Sequence, residues 1–222
     1  SEDLRDRVTG GLREAGLTFG AAHSYATPRR LTLAVAGVDA QSPTVVEARK
    51  ATSADAPEKA IEGFLRGAGL TKDELEVRDD KKGQVYFAVI EKPGRDAADI
   101  VAEVLDATVR NFPWPKSMRW GAGSLRWVRP LQSILCLLSE ESGATVVPLD
   151  IDAIASGDLT YGHRFLSPAA ITVTGFDDYE AKLKRAHVYL RADERADMIW
   201  NEATNQAFAQ GLEVVPDQGL LR

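Results

Sequence analysis

Hydrophobic residues along the first half of the chain switch between a helical and a strand spacing. In DLRDRVTGGLREAGL, Leu4, Val8 and Leu12 recur every four residues, which places them on one helix face. Further along, Leu31 and Leu33 alternate with threonine and alanine, as in a half-buried strand. Segments of the two kinds follow each other as helix, two strands, helix, two strands. This order predicts an α+β fold class.

Alternating helical and strand patterns continue along the rest of the chain. We predict a hairpin or bent strand pair around TPRR (27–30), a helix within 56–70 with proline in its first turn, a hairpin turning at 79–83 and a helix over 96–110. Three short β-type runs, ATVVPLDI, TYGHRFL and AITVT, then lead to two further helices. The second half is therefore again α+β.

These patterns predict two packed α/β-layer domains with mostly antiparallel sheets. We place the first domain at residues 1–93 and the second at 94–222, with the join near KPGR. The chain opens inside a helical pattern and closes on the apolar LEVVPDQGLLR. We therefore expect further elements on both sides, and a second domain that continues past residue 222.

The segment LRWVRPLQSILCLL (125–138) is ambiguous. Strand and helix are both possible because Pro130 interrupts the apolar run, and we favour a strand with a bulge at the proline. In a strand, Arg126 and Val128 would share one face while Trp127 and Arg129 share the other. The two arginines would then not form one patch.

Charge is distributed unevenly. The formal net charge is −6, and a pI near 5.2 argues against a general nucleic-acid binder. Residues 107–139 contain no Asp or Glu and contribute +5, which leaves −11 for the other residues. Three of the four tryptophans lie in FPWPKSMRWGAGSLRWVRP (112–130), inside this cationic segment.

Motifs for self-contained catalysis are missing from the sequence. The three histidines lie far apart without a CxxC or HxxxH partner pattern, and there is no Walker loop, GxGxxG or GxSxG. Ser156, Asp158 and His163 are close in sequence, but nothing recommends them as a triad. We expect no catalytic residue, no metal and no cofactor bound by this chain itself.

The cellular compartment is suggested by cysteine usage and hydropathy. Cys136 is the only cysteine, which excludes an internal disulfide and suits a reducing compartment, and its apolar surroundings suggest a buried thiol. No apolar run approaches the roughly 20 residues of a membrane-spanning helix. We expect a cytoplasmic protein without membrane contact.

Three motifs combine arginine with aromatic or turn residues: TPRR, the 112–130 segment and TYGHRFL (160–166). Arginine can pair with phosphates through two hydrogen bonds and stack on bases, which suits RNA. Arginine beside tryptophan also makes ordinary cation–π and domain-interface contacts. Likewise, His163 could be a proton donor, although a hydrogen-bonded structural histidine is the favoured interpretation.

At these motifs the sequence resembles the β subunit of bacterial heterotetrameric glycyl-tRNA synthetase. Six strings in order carry the resemblance: ATPRRL (26–31), APEKAIEGFLRGAGL (56–70), FPWPKSMRWG (112–121), LRWVRPLQSIL (125–135), TYGHRF (160–165) and DDYEAKLKRAHV (177–188). Together they span nearly the whole chain, which makes the set far more specific than any one string.

The resemblance implies a part in a ligase rather than a complete enzyme. In that family the α subunit carries the class II core that activates glycine with ATP and Mg, while the β subunit is required for aminoacylation and engages the tRNA. The implied partners are the α subunit, tRNA(Gly) and a second β subunit. Family members continue into an HD-type helical domain and an anticodon-binding region that these 222 residues lack, so this portion alone should bind tRNA weakly.

The resemblance also implies contact residues, with the cations facing tRNA or the α subunit and the tryptophans anchoring the fold. In order of preference the candidates are Lys116, Arg119 and Arg129, then Arg29, Arg30 and Arg164. One alternative is a stand-alone RNA-binding or protein-interaction module. Hydrolytic editing is least favoured, because steric exclusion can reject amino acids larger than glycine.

Overall fold

The computed structural model describes residues 1–53, 58–68, 71, 75–80 and 83–221. Within these residues the chain forms five helices and twelve strands. The helices are α1 (Glu2–Glu14), α2 (Glu58–Ala68), α3 (Ala97–Arg110), α4 (Phe176–Arg185) and α5 (Ala192–Ala209).

The strands are short and form several small sheets. They are β1 (Ala22–Thr27), β2 (Arg30–Val35), β3 (Val45–Ser53), β4 (Leu75–Asp80), β5 (Gly83–Lys92), β6 (Ile134–Leu135), β7 (Leu137–Glu140), β8 (Gly143–Val146), β9 (Asp150–Ile151), β10 (Ile154–Gly157), β11 (Leu159–Tyr161) and β12 (Ala170–Thr172). Among the described strand pairs only β6 with β10 is parallel. The predicted α+β class with mostly antiparallel sheets is therefore confirmed.

Two compact units divide the chain. The larger unit comprises Ser1–Ala40 and Ala97–Arg222, and the smaller unit comprises Gln41–Asp96. The first 40 residues belong with the larger unit because α1 packs on α3, where Val8, Leu12 and Ile100 share one buried cluster. The bounds of these compact units differ from the predicted domain bounds, 1–93 and 94–222. The division into those two domains remains a prediction.

The smaller unit is an antiparallel sheet with one helix. Its strand order is β3-β5-β4, and the described side chains of Ile61 in α2 and Val85 in β5 are buried. The predicted helix and hairpin are present. The proline of the expected first helical turn and the two lysines of the hairpin turn lie outside the described residues.

The prediction of a strand through Pro130 is wrong for residues 125–131. Residues 125–131 form no strand, and the run becomes extended only as β6 and β7, after the proline. Pro130 has no N–H to donate to a ladder, which disfavours a continuous strand through this position. Cys136 lies between the two strands and joins both neighbours, because its N–H donates to Gly157 (3.2 Å) and its carbonyl accepts from Val147 (3.0 Å).

The β1–β2 hairpin packs against α4 within the larger unit. The rings of Tyr25 and Phe176 stack with centroids 5.4 Å apart, and the hydroxyls of Thr32 and Tyr179 lie 3.2 Å apart. Tyr179 and Leu183 of α4 are buried in the same cluster. The hairpin turn is therefore held at a fixed place relative to the end of α4.

Of the three later β-type runs, only parts become strands. ATVVPLDI divides between β8 and β9, TYGHRFL is extended only as far as Tyr161, and AITVT pairs with β11 as β12. The remainder of TYGHRFL forms a turn between β11 and β12, beside the end of α4.

Candidate functional site

An open cleft of about 950 Å³ lies in the larger unit. Four separate stretches of the chain line it: the β1–β2 turn, Arg129, the turn after β11, and the connection from α4 into α5. Packing away from the cleft positions two of these stretches, since the hairpin and α4 share the cluster around Tyr179.

Positive charge is the main property of this cleft. The cationic lining residues are Arg29, Arg30, Arg129, Arg164, Lys184 and Arg195. Two histidines, His163 and His187, also line it, whereas no Asp or Glu is among its described lining residues. A concave surface lined by one sign of charge focuses the field and attracts ligands of the opposite sign.

Arg30 is a half-buried cation of this cleft whose guanidinium is held by a hydrogen bond. It begins β2, and its guanidinium donates this hydrogen bond to the backbone carbonyl of Tyr161. Burial lowers the pKa of Arg30, an effect that the neighbouring Arg29 reinforces and Tyr179 opposes. Arg30 therefore fastens the hairpin turn to the end of β11.

His163 organises the turn after β11. Its imidazole Nδ1 accepts hydrogen bonds from the backbone N–H groups of Phe165 (3.3 Å) and Leu166 (3.2 Å). The backbone N–H of His163 donates to the carbonyl of Ala186 (2.9 Å). A nitrogen that accepts two N–H groups carries no proton of its own. This geometry favours the structural interpretation of His163 over the proton donor.

The turn and the end of α4 approach each other closely at one glycine. A Cβ built on Gly162 would lie 2.4 Å from the Cβ of Ala186 and 2.8 Å from its carbonyl oxygen. Immediately after Ala186, His187 has a φ of 60°, in the left-handed region, as the chain leaves α4. The short contact explains why this position of TYGHRFL carries no side chain.

Two of the cleft cations are engaged by neighbours near α5. Lys184 forms an ion pair with Glu194, which raises the pKa of Lys184, and Arg195 donates to the carbonyl of Tyr189 at 3.0 Å. By contrast, no ion pair within the described part of the chain involves Arg29, Arg129 or Arg164. All three are exposed, so their guanidinium groups are available to an anionic ligand.

The 112–130 segment folds around its aromatic side chains. The rings of Phe112, Trp114 and Trp127 form a cluster with centroids 4.6 to 5.2 Å apart. Met118 and Trp127 exchange two backbone hydrogen bonds of 2.8 and 3.1 Å, which closes the segment into a loop. Arg126 is used inside this loop, where it donates to the hydroxyl (3.2 Å) and carbonyl (3.3 Å) of Ser117.

The six residues predicted as contacts separate into two groups. Four of them, Arg29, Arg30, Arg129 and Arg164, line the cleft together. Lys116 and Arg119 do not line it, although both are exposed on the 112–130 loop.

Sequence reasoning missed two cleft cations. Lys184 lies in the string DDYEAKLKRAHV, in the last turn of α4. Cations are common there because the C-terminal end of a helix carries a partial negative charge. Arg195 lies near the start of α5, in a run (191–197) in which acidic residues outnumber arginines. Neither has an aromatic neighbour in sequence that would have marked it.

Other kinds of site find no support among the described residues. No group of three or more His, Cys, Asp or Glu side chains there is arranged to hold a metal ion. None of the helices in the same part of the chain combines the length and apolarity needed to cross a bilayer.

Comparison with known proteins extends beyond the motifs. Residues 1–222 match the model of a family described as glycyl-tRNA synthetase beta subunit. The chain belongs to this family. The resemblance carried by the six strings is thereby confirmed.

Curated relatives bear the name glycine–tRNA ligase beta subunit. A protein from a Ruegeria species is 68% identical over 220 residues, which is 99% of this chain and 32% of the relative. One from Cereibacter sphaeroides is 66% identical with the same coverage, and one from Paracoccus denitrificans is 64% identical over 219 residues. The chain thus spans about a third of the length of the curated relatives it matches.

Proposed function

We propose that this portion of a glycyl-tRNA synthetase beta subunit binds tRNA(Gly) through the cationic cleft and so supports the ATP-dependent attachment of glycine. The observation that carries the proposal is the convergence of six cations from four chain stretches on one surface, with no carboxylate among its described lining residues. The net charge of −6 gives no general attraction to nucleic acid, so a local cationic surface is needed for phosphate contact.

Arginine is well suited to this contact. Its planar guanidinium can donate two parallel hydrogen bonds to a phosphate, and it keeps its charge at any physiological pH. Arg29, Arg129 and Arg164 are exposed and form no ion pair within the described residues. Binding a phosphate at these groups therefore does not require breaking an existing salt bridge.

Family membership supports a proposed division of labour between two kinds of subunit. In this proposal the α subunit holds ATP and Mg and forms the glycyl adenylate, while this portion of the beta subunit supplies contacts and no catalytic group. A cytoplasmic heterotetramer with two beta subunits completes the proposed assembly. The family name, which identifies a beta subunit of a synthetase, supports the existence of a second kind of subunit.

The test compares two triple variants in the holoenzyme, assembled from the full-length beta subunit and its α partner. The first is Arg29→Ala/Arg129→Ala/Arg164→Ala. The matched control removes three exposed arginines outside the cleft, Arg7→Ala/Arg13→Ala/Arg66→Ala. The measurements are the affinity for tRNA(Gly) between low and high salt, and the rate of glycylation.

The slope of log affinity against log salt is negative, and losing three phosphate contacts should reduce its magnitude by about 2 to 3. At low salt we expect at least tenfold weaker tRNA binding and slower glycylation, whereas the control triple should change neither. Wild-type affinity and slope in the cleft variant would refute the proposal. Lost RNA binding with an unchanged glycylation rate would instead indicate an RNA-binding module without an aminoacylation role.

Lys116 and Arg119 form a second proposed contact, with the α subunit or with another part of the tRNA. Their exposure on a loop closed by the Met118–Trp127 bridge supports this proposal, since the loop presents them outward. The double variant Lys116→Ala/Arg119→Ala distinguishes the partners. If the salt dependence of tRNA affinity is unchanged while association with the α subunit weakens, the α subunit is the favoured partner. If neither tRNA affinity nor subunit association changes, the two cations have no contact role.

A further inference from the structure

Phe165 is an aromatic residue held in solvent at the rim of the cleft. Its side chain is 77% exposed, and it lies in sequence between two cleft-lining residues, Arg164 and Leu166, of which Leu166 is 64% exposed. The guanidinium carbon of Arg164 lies 5.2 Å from the Phe165 ring centroid, and the His163 ring lies 6.1 Å from it. A single exposed apolar side chain is common on protein surfaces, but this ring lies beside the cations of a cleft, a combination that is typical of single-stranded nucleic-acid sites.

The exposure of Phe165 comes from a turn that is fixed by hydrogen bonds. Its N–H donates to the imidazole of His163, and the N–H of Ser167 donates to the carbonyl of His163 at 2.8 Å. The turn is fastened to the end of α4 through the bond from His163 to Ala186. The ring is therefore presented beside the cations in an arrangement that needs little ordering when a ligand binds.

We propose that Phe165, with the guanidinium of Arg164 over its ring, is a stacking platform for one unpaired base of an RNA whose phosphates the cleft cations bind. This inference rests on the function proposed above and specifies the RNA chemistry recognised. Aromatic rings and guanidinium planes both stack on exposed bases, and base stacking tolerates any base because every base has a π-face. Bases within a duplex are already stacked on their neighbours, so the platform selects unpaired nucleotides.

The surrounding charge favours a nucleotide over a protein partner. Phe165 lies next to Arg164, and the cleft beside it contains Arg29 and Arg129, which have no ion pair within the described residues. Protein interfaces also use arginine and aromatic residues, but a concave surface lined by six cations and no described carboxylate beside an aromatic ring matches the cationic grooves and aromatic platforms of single-stranded nucleic-acid sites. A nucleotide supplies both the anionic phosphate and the flat ring that this arrangement fits.

The experiment uses the holoenzyme with three substitutions at one position, Phe165→Ala, Phe165→Leu and Phe165→Tyr. Each is titrated with an eight-nucleotide single-stranded RNA and with a blunt-ended RNA duplex of equal phosphate number. We expect Phe165→Ala and Phe165→Leu to weaken single-strand binding about tenfold, and Phe165→Tyr to stay within about twofold of wild type. Duplex binding should be the same in all four proteins, because it depends on phosphate contacts.

Three outcomes would overturn the platform. Single-strand affinity at the wild-type level in Phe165→Ala would show that the ring contributes nothing to RNA binding. Full single-strand affinity in Phe165→Leu would show that an apolar side chain suffices and that no ring stacks on a base. Loss of α-subunit association in Phe165→Ala with RNA binding intact would indicate a protein contact instead. In each case the cleft proposal still stands or falls with the arginine triple variant, so the failures of the two proposals are distinguishable.

Discussion

The guanidinium of Arg30 donates a hydrogen bond to the backbone carbonyl of Tyr161, across 131 positions of the chain. This bond joins the turn of the β1–β2 hairpin to the end of β11. Arg29 lies in the hairpin turn and Arg164 lies in the turn after β11, so the same bond holds two exposed arginines on one cleft. Arg30 is thus a structural support for the site as well as part of its charge.

Replacing Arg30 by alanine should destabilise the larger unit. The carbonyl of Tyr161 would lose a charged donor, and hydrogen bonds to charged groups contribute about 1.5–3 kcal/mol. We expect a loss of this size in the free energy of unfolding, with only part recovered in Arg30→Lys, because an ammonium group lacks the guanidinium fork. Urea denaturation followed by tryptophan fluorescence reports on this unit, which contains all four tryptophans.

The control for that measurement is Arg29→Ala, an exposed neighbour without an ion pair in the described residues. Its unfolding free energy should stay within about 0.5 kcal/mol of wild type. Equal stability of the Arg30→Ala and Arg29→Ala variants would contradict the structural role of Arg30.

Gly162→Ala should disrupt the turn that carries Phe165. The new methyl group would lie 2.8 Å from the backbone carbonyl oxygen of Ala186, an atom that cannot move without displacing the end of α4. Overpacking of this kind costs about 1–3 kcal/mol. Gly157→Ala is the matched control, since nothing lies within 4 Å of its added methyl, and thermal unfolding of both variants tests the difference. Equal melting temperatures would show that the turn has room to relax.

Adjacent glycines in α1 should respond with opposite signs. Gly10→Ala meets nothing within 4 Å and should stabilise the helix by about 0.5–1 kcal/mol, the usual advantage of alanine over glycine. In Gly11→Ala the methyl would lie 2.7 Å from Cγ1 of Val104, a β-branched side chain with little rotamer freedom. We expect a net loss of about 1–2 kcal/mol there, measured by urea denaturation. A gain in both variants would mean that α1 and α3 can separate slightly at little cost.

The Cys136 thiol should be unreactive in the folded chain. Burial raises its pKa from 9.0 to about 11. At pH 8 this lowers the thiolate population about 100-fold, and only the thiolate attacks alkylating reagents. Iodoacetamide labelling should therefore be at least about 100-fold slower in the native chain than in urea, and comparable rates would refute the burial effect.

The same pKa makes stability depend on alkaline pH. Below pH 9 the thiol is protonated in both states and its contribution is fully present. Between pH 9 and pH 11 the unfolded thiol ionises while the folded one stays protonated, so the unfolded state is favoured and about 2–3 kcal/mol of stability is lost. Cys136→Ala lacks this dependence. The stability difference between wild type and Cys136→Ala should shift in favour of the variant over this window, and a constant difference would contradict the prediction.

Local pattern was sufficient for most elements of the fold. The period of four in Leu4, Val8 and Leu12 and the alternation around Leu31 and Leu33 are properties of neighbouring residues, and α1 and the β1–β2 hairpin formed where these patterns lie. The pattern failed at 125–131, where apolar composition suggested a strand. There the backbone instead closes a loop through Met118 and Trp127, a pairing across nine residues that no periodicity encodes.

The amino-acid sequence by itself determined the α+β class, the family and the residue types that carry positive charge, because these depend on short-range periodicity and on ordered motifs. Only the tertiary structure decided which cations act together. Arg129 was predicted alongside Lys116 and Arg119, yet it lies on the cleft with Arg29 and Arg164, from distant segments. The physical reason is that convergence depends on long-range packing, such as Tyr25 on Phe176 and Gly162 against Ala186, whose partners are far apart in the chain.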